Sequence, residues 1–151
     1  MKAQLLAITA TLLLGGASAH AQTKSAPTKV ASYSFGAPGT VGYEHLSFWV
    51  KAGKRTDIYY AYGADRKEVK LKYLGKTLLN SKPGFKVQFA NGNVLSVAPS
   101  DNLLTVSAAG QTPTSFAWEY EGPVDGIGTF CDVCAADDKE AMQLVRTYYL
   151  K

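Results

Sequence analysis

The chain reads as a mainly β fold. About eight strands form an antiparallel meander, a barrel-like or strongly curved sheet, with one C-terminal helix. Three observations predict it. Short apolar–polar alternations recur from Ala31 to Tyr120 at intervals of roughly 8–14 residues, the signature of consecutive half-buried strands. Breaks containing Gly, Pro or Asn separate them, each of hairpin length. A helical period appears once, near the end, on Ala141, Leu144, Val145 and Tyr148.

Residues 1–21 stand apart from this pattern. Lys2 supplies a positive start, Leu5 to Leu14 an apolar run too short for a membrane span, and Ala19-His20-Ala21 an A-x-A cleavage site. They are expected to be a cleaved signal peptide, which makes the mature chain periplasmic or secreted. No cysteine lies near the cut to accept a lipid, and no later stretch is apolar enough to span a membrane. Residues 22–30 are a polar lead expected to be flexible, and 31–151 a single domain.

Ala31, Tyr33 and Phe35 alternate and stop at Gly36-Ala37-Pro38-Gly39. In Tyr43–Lys51, Leu46, Phe48 and Val50 share one face, and His45, Ser47 and Trp49 the other. Ala52-Gly53-Lys54 turns the chain into Ile58–Tyr62, and Gly63–Arg66 turns it into Val69, Leu71 and Tyr73. Gly75 to Gly84 reads as a connector. Phe85, Val87 and Phe89 then alternate up to Asn91-Gly92, which is expected to form a two-residue type I′ turn. That turn would set Phe89 opposite Val94, Val87 opposite Ser96 and Phe85 opposite Ala98. Pro99–Asn102 is the next turn, Leu103–Ser107 a strand, and 108–113 a break. The last strand carries Phe116, Trp118 and Tyr120 on one face. Gly122–Gly128 is a Gly-rich crossover into a helix at about 135–150. Asp137 and Asp138 lie in its first turns and Arg146 and Lys151 near its end, as the helix dipole favours.

Composition is that of a folded body: 46% apolar and 19% charged, the latter below the usual quarter. The formal charge of +4 is mild, but its distribution is uneven. Lys51–Lys86 holds ten basic residues against three acids, and Asp101–Glu140 eight acids against one lysine. The halves either neutralise each other or leave a basic face of Lys51, Lys54, Arg55, Arg66, Lys67, Lys70 and Lys72 for an anionic partner. Nucleic acid is not expected as a partner, because the chain looks exported and carries no binding motif for it.

Cys131-Asp132-Val133-Cys134 is the chain's only cysteine pair. A C-x-x-C at a helix start can be a redox dithiol, since the dipole lowers the thiol pKa. Here three aspartates surround the thiols, no cation lies within four residues, and too little chain follows for a thioredoxin-like unit. A local disulfide is the simpler expectation in an oxidising compartment, with a redox pair as the alternative. Metal and cofactor are not expected: beyond the pair, the mature chain offers only His45, and Ala135 follows Cys134 where a c-type haem site needs histidine.

The same lone imidazole limits hydrolase chemistry, and no G-x-S-x-G elbow accompanies it. Glu119 and Glu121 lie about 7 Å apart along one strand face, a spacing open to glycosidase chemistry but equally to solvation. The inventory therefore leans away from an enzyme. The order of elements resembles a lipocalin-type barrel, while the opening G-x-W signature is absent, Ser47-Phe48 preceding Trp49. The leading expectation is a non-catalytic binding module. It would hold a small apolar ligand, or an envelope or extracellular partner, against Trp49, Tyr60, Phe116, Trp118 and Tyr120. A thiol-dependent envelope redox protein is the alternative.

Overall fold

The computed structural model describes residues 28–120 and 133–151. Eight strands are followed by one helix: β1 (Lys29–Phe35), β2 (Glu44–Lys51), β3 (Lys54–Tyr62), β4 (Lys67–Leu79), β5 (Lys82–Gln88), β6 (Val94–Ser100), β7 (Leu103–Ala108), β8 (Thr114–Trp118) and α1 (Asp138–Tyr149). Each strand pairs antiparallel with the next, and β8 returns to β1, so the sheet closes into a barrel. The mainly β architecture with a C-terminal helix is the class that the alternation predicts. The signal-peptide residues, most of the lead, the 122–128 crossover and Cys131 lie outside the described residues.

Period-two alternation puts one residue in two inside. Tyr33, Leu46, Phe48, Ile58, Phe85, Val87, Val97, Leu104 and Phe116 are all essentially fully buried and form one cluster with the apolar face of α1. Rings dominate its centre. Phe48 meets Phe85 edge-on at 5.7 Å, and Tyr149 from the helix lies 5.3 Å from Phe48 and 5.6 Å from Phe85. Edge-to-face geometry sets the positive rim of one ring on the negative face of the next.

Three hairpins differ from the sequence reading, for local reasons; in the simplest case Pro99 and Ser100, read as turn, extend β6 and pair with Leu104 and Leu103, leaving only Asp101 and Asn102 to turn. The 75–84 stretch is mostly strand: β4 runs on to Leu79, and Asn80 and Ser81, both with positive φ, make the turn into β5. Asn tolerates that region because its short polar side chain bonds locally. At the β5–β6 hairpin the expected two-residue turn is replaced by a three-residue loop over 90–92. Phe89 N–H donates to the Asn93 carbonyl, Gly92 N–H donates to the Phe89 carbonyl, and Gly92 takes φ 91°. This is a type I turn closed by a left-handed glycine. The pairing therefore slips by one residue: Phe85 faces Val97 and Val87 faces Leu95, instead of Ala98 and Ser96. A one-residue slip moves every β6 side chain to the other face. The observed register puts Val97 in the core with Phe85.

Successive antiparallel strands leave one rim of the barrel with the turns at 52–53, 80–81 and 101–102. Helix α1 covers this rim. Polar contacts join the two: Lys29 pairs with Glu140 at 3.2 Å, the Asn102 amide donates to Asp138, and Arg55 donates to the Tyr148 backbone carbonyl. Residues 133–135 lead into the helix alongside β1, on the edge that β8 leaves unpaired. Val30 N–H donates to the Val133 carbonyl and Ala135 N–H to the Val30 carbonyl, both at 2.8 Å, forming a parallel bridge between Val30 and Cys134. Ala141, Met142, Leu144, Val145 and Tyr149 are buried. The helical stripe thus turns slightly from the expected one, with Tyr149 as the deep anchor and Tyr148 half-buried.

Two predictions arise here. The helix start is held reciprocally: Asp137 Oδ1 accepts from Glu140 N–H at 2.7 Å, and Glu140 Oε2 accepts from Ala136 N–H at 2.6 Å, the logic of a capping box. The Ala136 N–H holds the Glu140 carboxyl below its ordinary pKa, and Lys29 adds to this. A carboxylate with a lowered folded pKa contributes stability above its unfolded pKa and loses it as pH falls through the folded value. Glu140→Gln is therefore expected to be less stable than the parent at pH 7, with the gap closing on acidification below about pH 4. Urea midpoints measured across that range check it.

Inside the barrel, the Tyr33 hydroxyl is buried and finds no hydrogen-bond partner among the described residues, and burial raises its pKa. An unsatisfied buried hydroxyl costs free energy that an apolar isostere does not. Tyr33→Phe is expected to stabilise the protein by about 1 kcal/mol, read as a higher melting temperature.

Candidate functional site

The rim opposite α1 carries the 36–43 loop and the turns at 63–66, 90–92 and 109–113. Here the barrel wall has a notch. The β3–β4 ladder continues up to Tyr62↔Lys67, but the β4–β5 ladder starts only at Lys72↔Gln88. Residues 67–71 thus have β3 on one side and, on the other, the loop that caps β5. Between them lies a groove of about 740 Å³, walled by Tyr60, Tyr62, Val69 and Phe89, with Ala90, Asn91, Asn93 and Lys70 at its edges.

Local sequence explains each wall. Tyr60 and Tyr62 are one period apart on the inward face of β3, so their rings stack at 5.8 Å and 29°. Phe89 ends the inward series Phe85, Val87, Phe89 and meets Tyr60 edge-on at 5.1 Å. Asn91 Oδ1 accepts from Asn93 N–H, which fixes the loop in the shape that holds Phe89 against the groove. Burial raises the Tyr60 phenol pKa, and a hydrogen bond donated to the Glu44 carboxylate raises it further. Lys70 is tied to Asp57, whose hydrogen bond and charge raise the pKa of the ammonium. Apolar walls, edge amides and a tethered lysine can hold a ligand.

The other ligand residues named from sequence are scattered. Trp49 points outward from β2, edge-on to Tyr59, with Nε1–H donating to Ser47. Phe116 is fully buried and stacks at 6.1 Å under Phe35. Trp118 and Tyr120 pair with each other at 6.3 Å next to the β1–β8 seam. Only Tyr60 of the five lines the groove. Tyr62, Val69 and Phe89 complete it. The alternation places Val69 and Phe89 on one face of their strands but assigns no face to Tyr62, and only the end of the β4–β5 ladder shows that the three meet.

The seven basic residues run along β2–β4 from one rim to the other. Lys51 and Lys54 close the β2–β3 hairpin, and Lys51 lies 3.9 Å from Asp57. The Arg55 guanidinium lies 4.0 Å from the Tyr73 ring centre, and that of Arg66 5.4 Å from the Tyr43 ring. Lys67 pairs with Tyr62 at the groove rim, and Lys72 with Gln88 where the β4–β5 ladder begins.

His45 is buried, with its ring stacked on Tyr43 at 6.3 Å and 18°. The Tyr43 hydroxyl donates to Glu119 Oε2 at 2.7 Å, so this carboxylate is engaged; Glu121 lies outside the described residues. Cys134 is 8% exposed beside Val30. Among the described residues, no helix is long and apolar enough to cross a membrane.

No family model matches the chain, and searches of curated proteins and of solved structures return no match.

Proposed function

We propose that this protein is an exported, non-catalytic binding module that takes the apolar part of a small ligand into the β4–β5 notch. The observation that carries the reading is the groove itself. Its aromatic walls lie at the end of the barrel away from α1, and Tyr62 remains 40% exposed. Pockets of a few hundred Å³ with apolar walls and a few fixed polar groups are the usual form of small-ligand sites. The same proposal makes Cys131 and Cys134 a local structural bridge within the segment that leads into the helix, while backbone hydrogen bonds to Val30 hold that segment to β1. A disulfide potential below about −300 mV supports that role, and one near −200 mV would favour the redox alternative.

Titration with the uncharged fluorophore N-phenyl-1-naphthylamine tests the groove. Saturable binding at one site is expected, weakened at least about tenfold by Val69→Glu, which puts a charge on the groove wall. Binding that is non-saturable, or indifferent to Val69→Glu in a variant with unchanged circular dichroism, would refute the groove as the site.

A further inference from the structure

Beside the groove, along the inner rim, adjacent strands place three side chains side by side. Phe35 of β1 pairs with Glu44 of β2, and Glu44 pairs with Tyr62 of β3. Directly paired positions have Cβ atoms about 5 Å apart, so Glu44 stands in register between two ring-bearing residues. Phe35 and Tyr62 are 44% and 40% exposed, which leaves ring surface free for a ligand. Glu44 is half-buried, and its carboxylate is near enough to the Tyr60 phenol to raise that group's pKa. Carboxylate charge and the negative faces of aromatic rings favour the same kind of guest, a cation whose apolar substituents tolerate losing water.

We infer that the ligand carries an organic ammonium group, which is seated at Glu44 between Phe35 and Tyr62 while its apolar body lies in the groove. This rests on the binding-module reading above and adds the chemical class. Tyr62 belongs to both surfaces, so one ligand can span them. Lys67, paired with Tyr62 on the far side from Glu44, is the cation facing this row from β4. It opposes a positive guest, although a Lys head group in water is well screened. An alkali or divalent metal ion suits the place less well than an ammonium, because it wants six or more oxygen ligands, and beside the Glu44 carboxylate Phe35 offers none and Tyr62 only a neutral phenol.

The probes are choline and 3,3-dimethylbutan-1-ol, which share a shape and differ in charge. Binding is followed by NMR of the tyrosine and phenylalanine rings. Choline is expected to bind about tenfold more tightly than the neutral alcohol, with shifts at Phe35 and Tyr62. Glu44→Gln keeps an acceptor for the Tyr60 hydroxyl and should erase that preference; Lys67→Gln should enlarge it. Should Glu44→Gln fail to fold, Tyr62→Leu replaces it, and choline should lose its advantage there too.

Equal affinity for the two probes at these rings would overturn the ammonium inference and leave the groove standing. A choline preference that survives Glu44→Gln would overturn it as well. If neither probe moves a ring signal of Tyr60, Tyr62 or Phe89, both the inference and the groove reading fall.

Discussion

Tyr149→Ala is expected to cost about 3–5 kcal/mol of folding stability, the usual range for truncating a fully buried aromatic side chain. A domain of this size has on the order of 5–15 kcal/mol in total, so the variant should sit near the edge of unfolding at room temperature. Three contributions add up at this residue. The ring is wholly buried and packs against Phe48, Phe85 and Tyr73. Its hydroxyl donates to the Trp49 carbonyl at 2.7 Å and to the Asp57 carbonyl at 3.2 Å. Its own carbonyl accepts from the Tyr73 hydroxyl at 2.8 Å. Alanine keeps the last of these but empties the space between helix and barrel. Tyr149→Phe separates the terms: it keeps the ring and removes the one proton shared between the Trp49 and Asp57 carbonyls, for an expected loss of about 1 kcal/mol. Urea unfolding of both variants, with equal slopes, checks the pair. An alanine loss below the phenylalanine loss would show that the ring does not anchor the helix.

Gly84→Ala should be the most damaging single-methyl addition in the barrel wall. A Cβ there would lie 2.5 Å from the Val97 carbonyl oxygen and 3.2–3.3 Å from Ala98 atoms. Val97 O is backbone of the neighbouring strand β6, so relief requires the strands to part. Overpacking of this kind costs about 1–3 kcal/mol, and a backbone obstacle puts it at the upper end. Gly42→Ala is the matched control, because a Cβ at that position meets nothing within 4 Å and the backbone there has no positive φ. The control should melt within a degree or two of the parent, while Gly84→Ala should fall several degrees lower. Similar melting temperatures for the two would mean that β5 and β6 can separate without cost.

Particular residues show how far the sequence could be read. Tyr33, Leu46, Phe48, Ile58, Phe85 and Phe116 announce themselves by alternation, because burial on one face leaves a period-two trace in any strand. Strand order follows from turn-length breaks. Register is less visible, since it depends on the hydrogen bonds inside a loop. Asn91-Gly92 suits a two-residue or a three-residue hairpin, and the difference of one residue decides whether Val97 or Ala98 faces Phe85. Leu95 and Val97 alternate with Ser96, and weighing that pattern against Phe85 and Val87 would have selected the observed pairing. Asn80-Ser81 went unread as a turn because serine at positive φ is uncommon.

The candidate site was legible only at Tyr60. Its other walls come from β4 outrunning β5, a property of two strand lengths and a bulge at Tyr73/Gly75 that no single stretch encodes. Trp49 and Phe116 show the converse limit. Aromatic residues on a strand are equally good as outer cover, core filler or ligand wall, and only the third dimension tells them apart.

The parallel bridge between Val30 and residues 133–135 ties the beginning of the fold to the segment just ahead of its helix. A nascent chain can form the middle hairpins early, since each joins neighbours in sequence. The first strand, however, stays half unpaired on its β8 side, and the aromatic interior half uncovered, until residues 133–151 have been made. Contacts of such long sequence separation form late and carry the largest loop-closure cost. Closing the free edge of the first strand and covering the aromatic interior are therefore one late event rather than two.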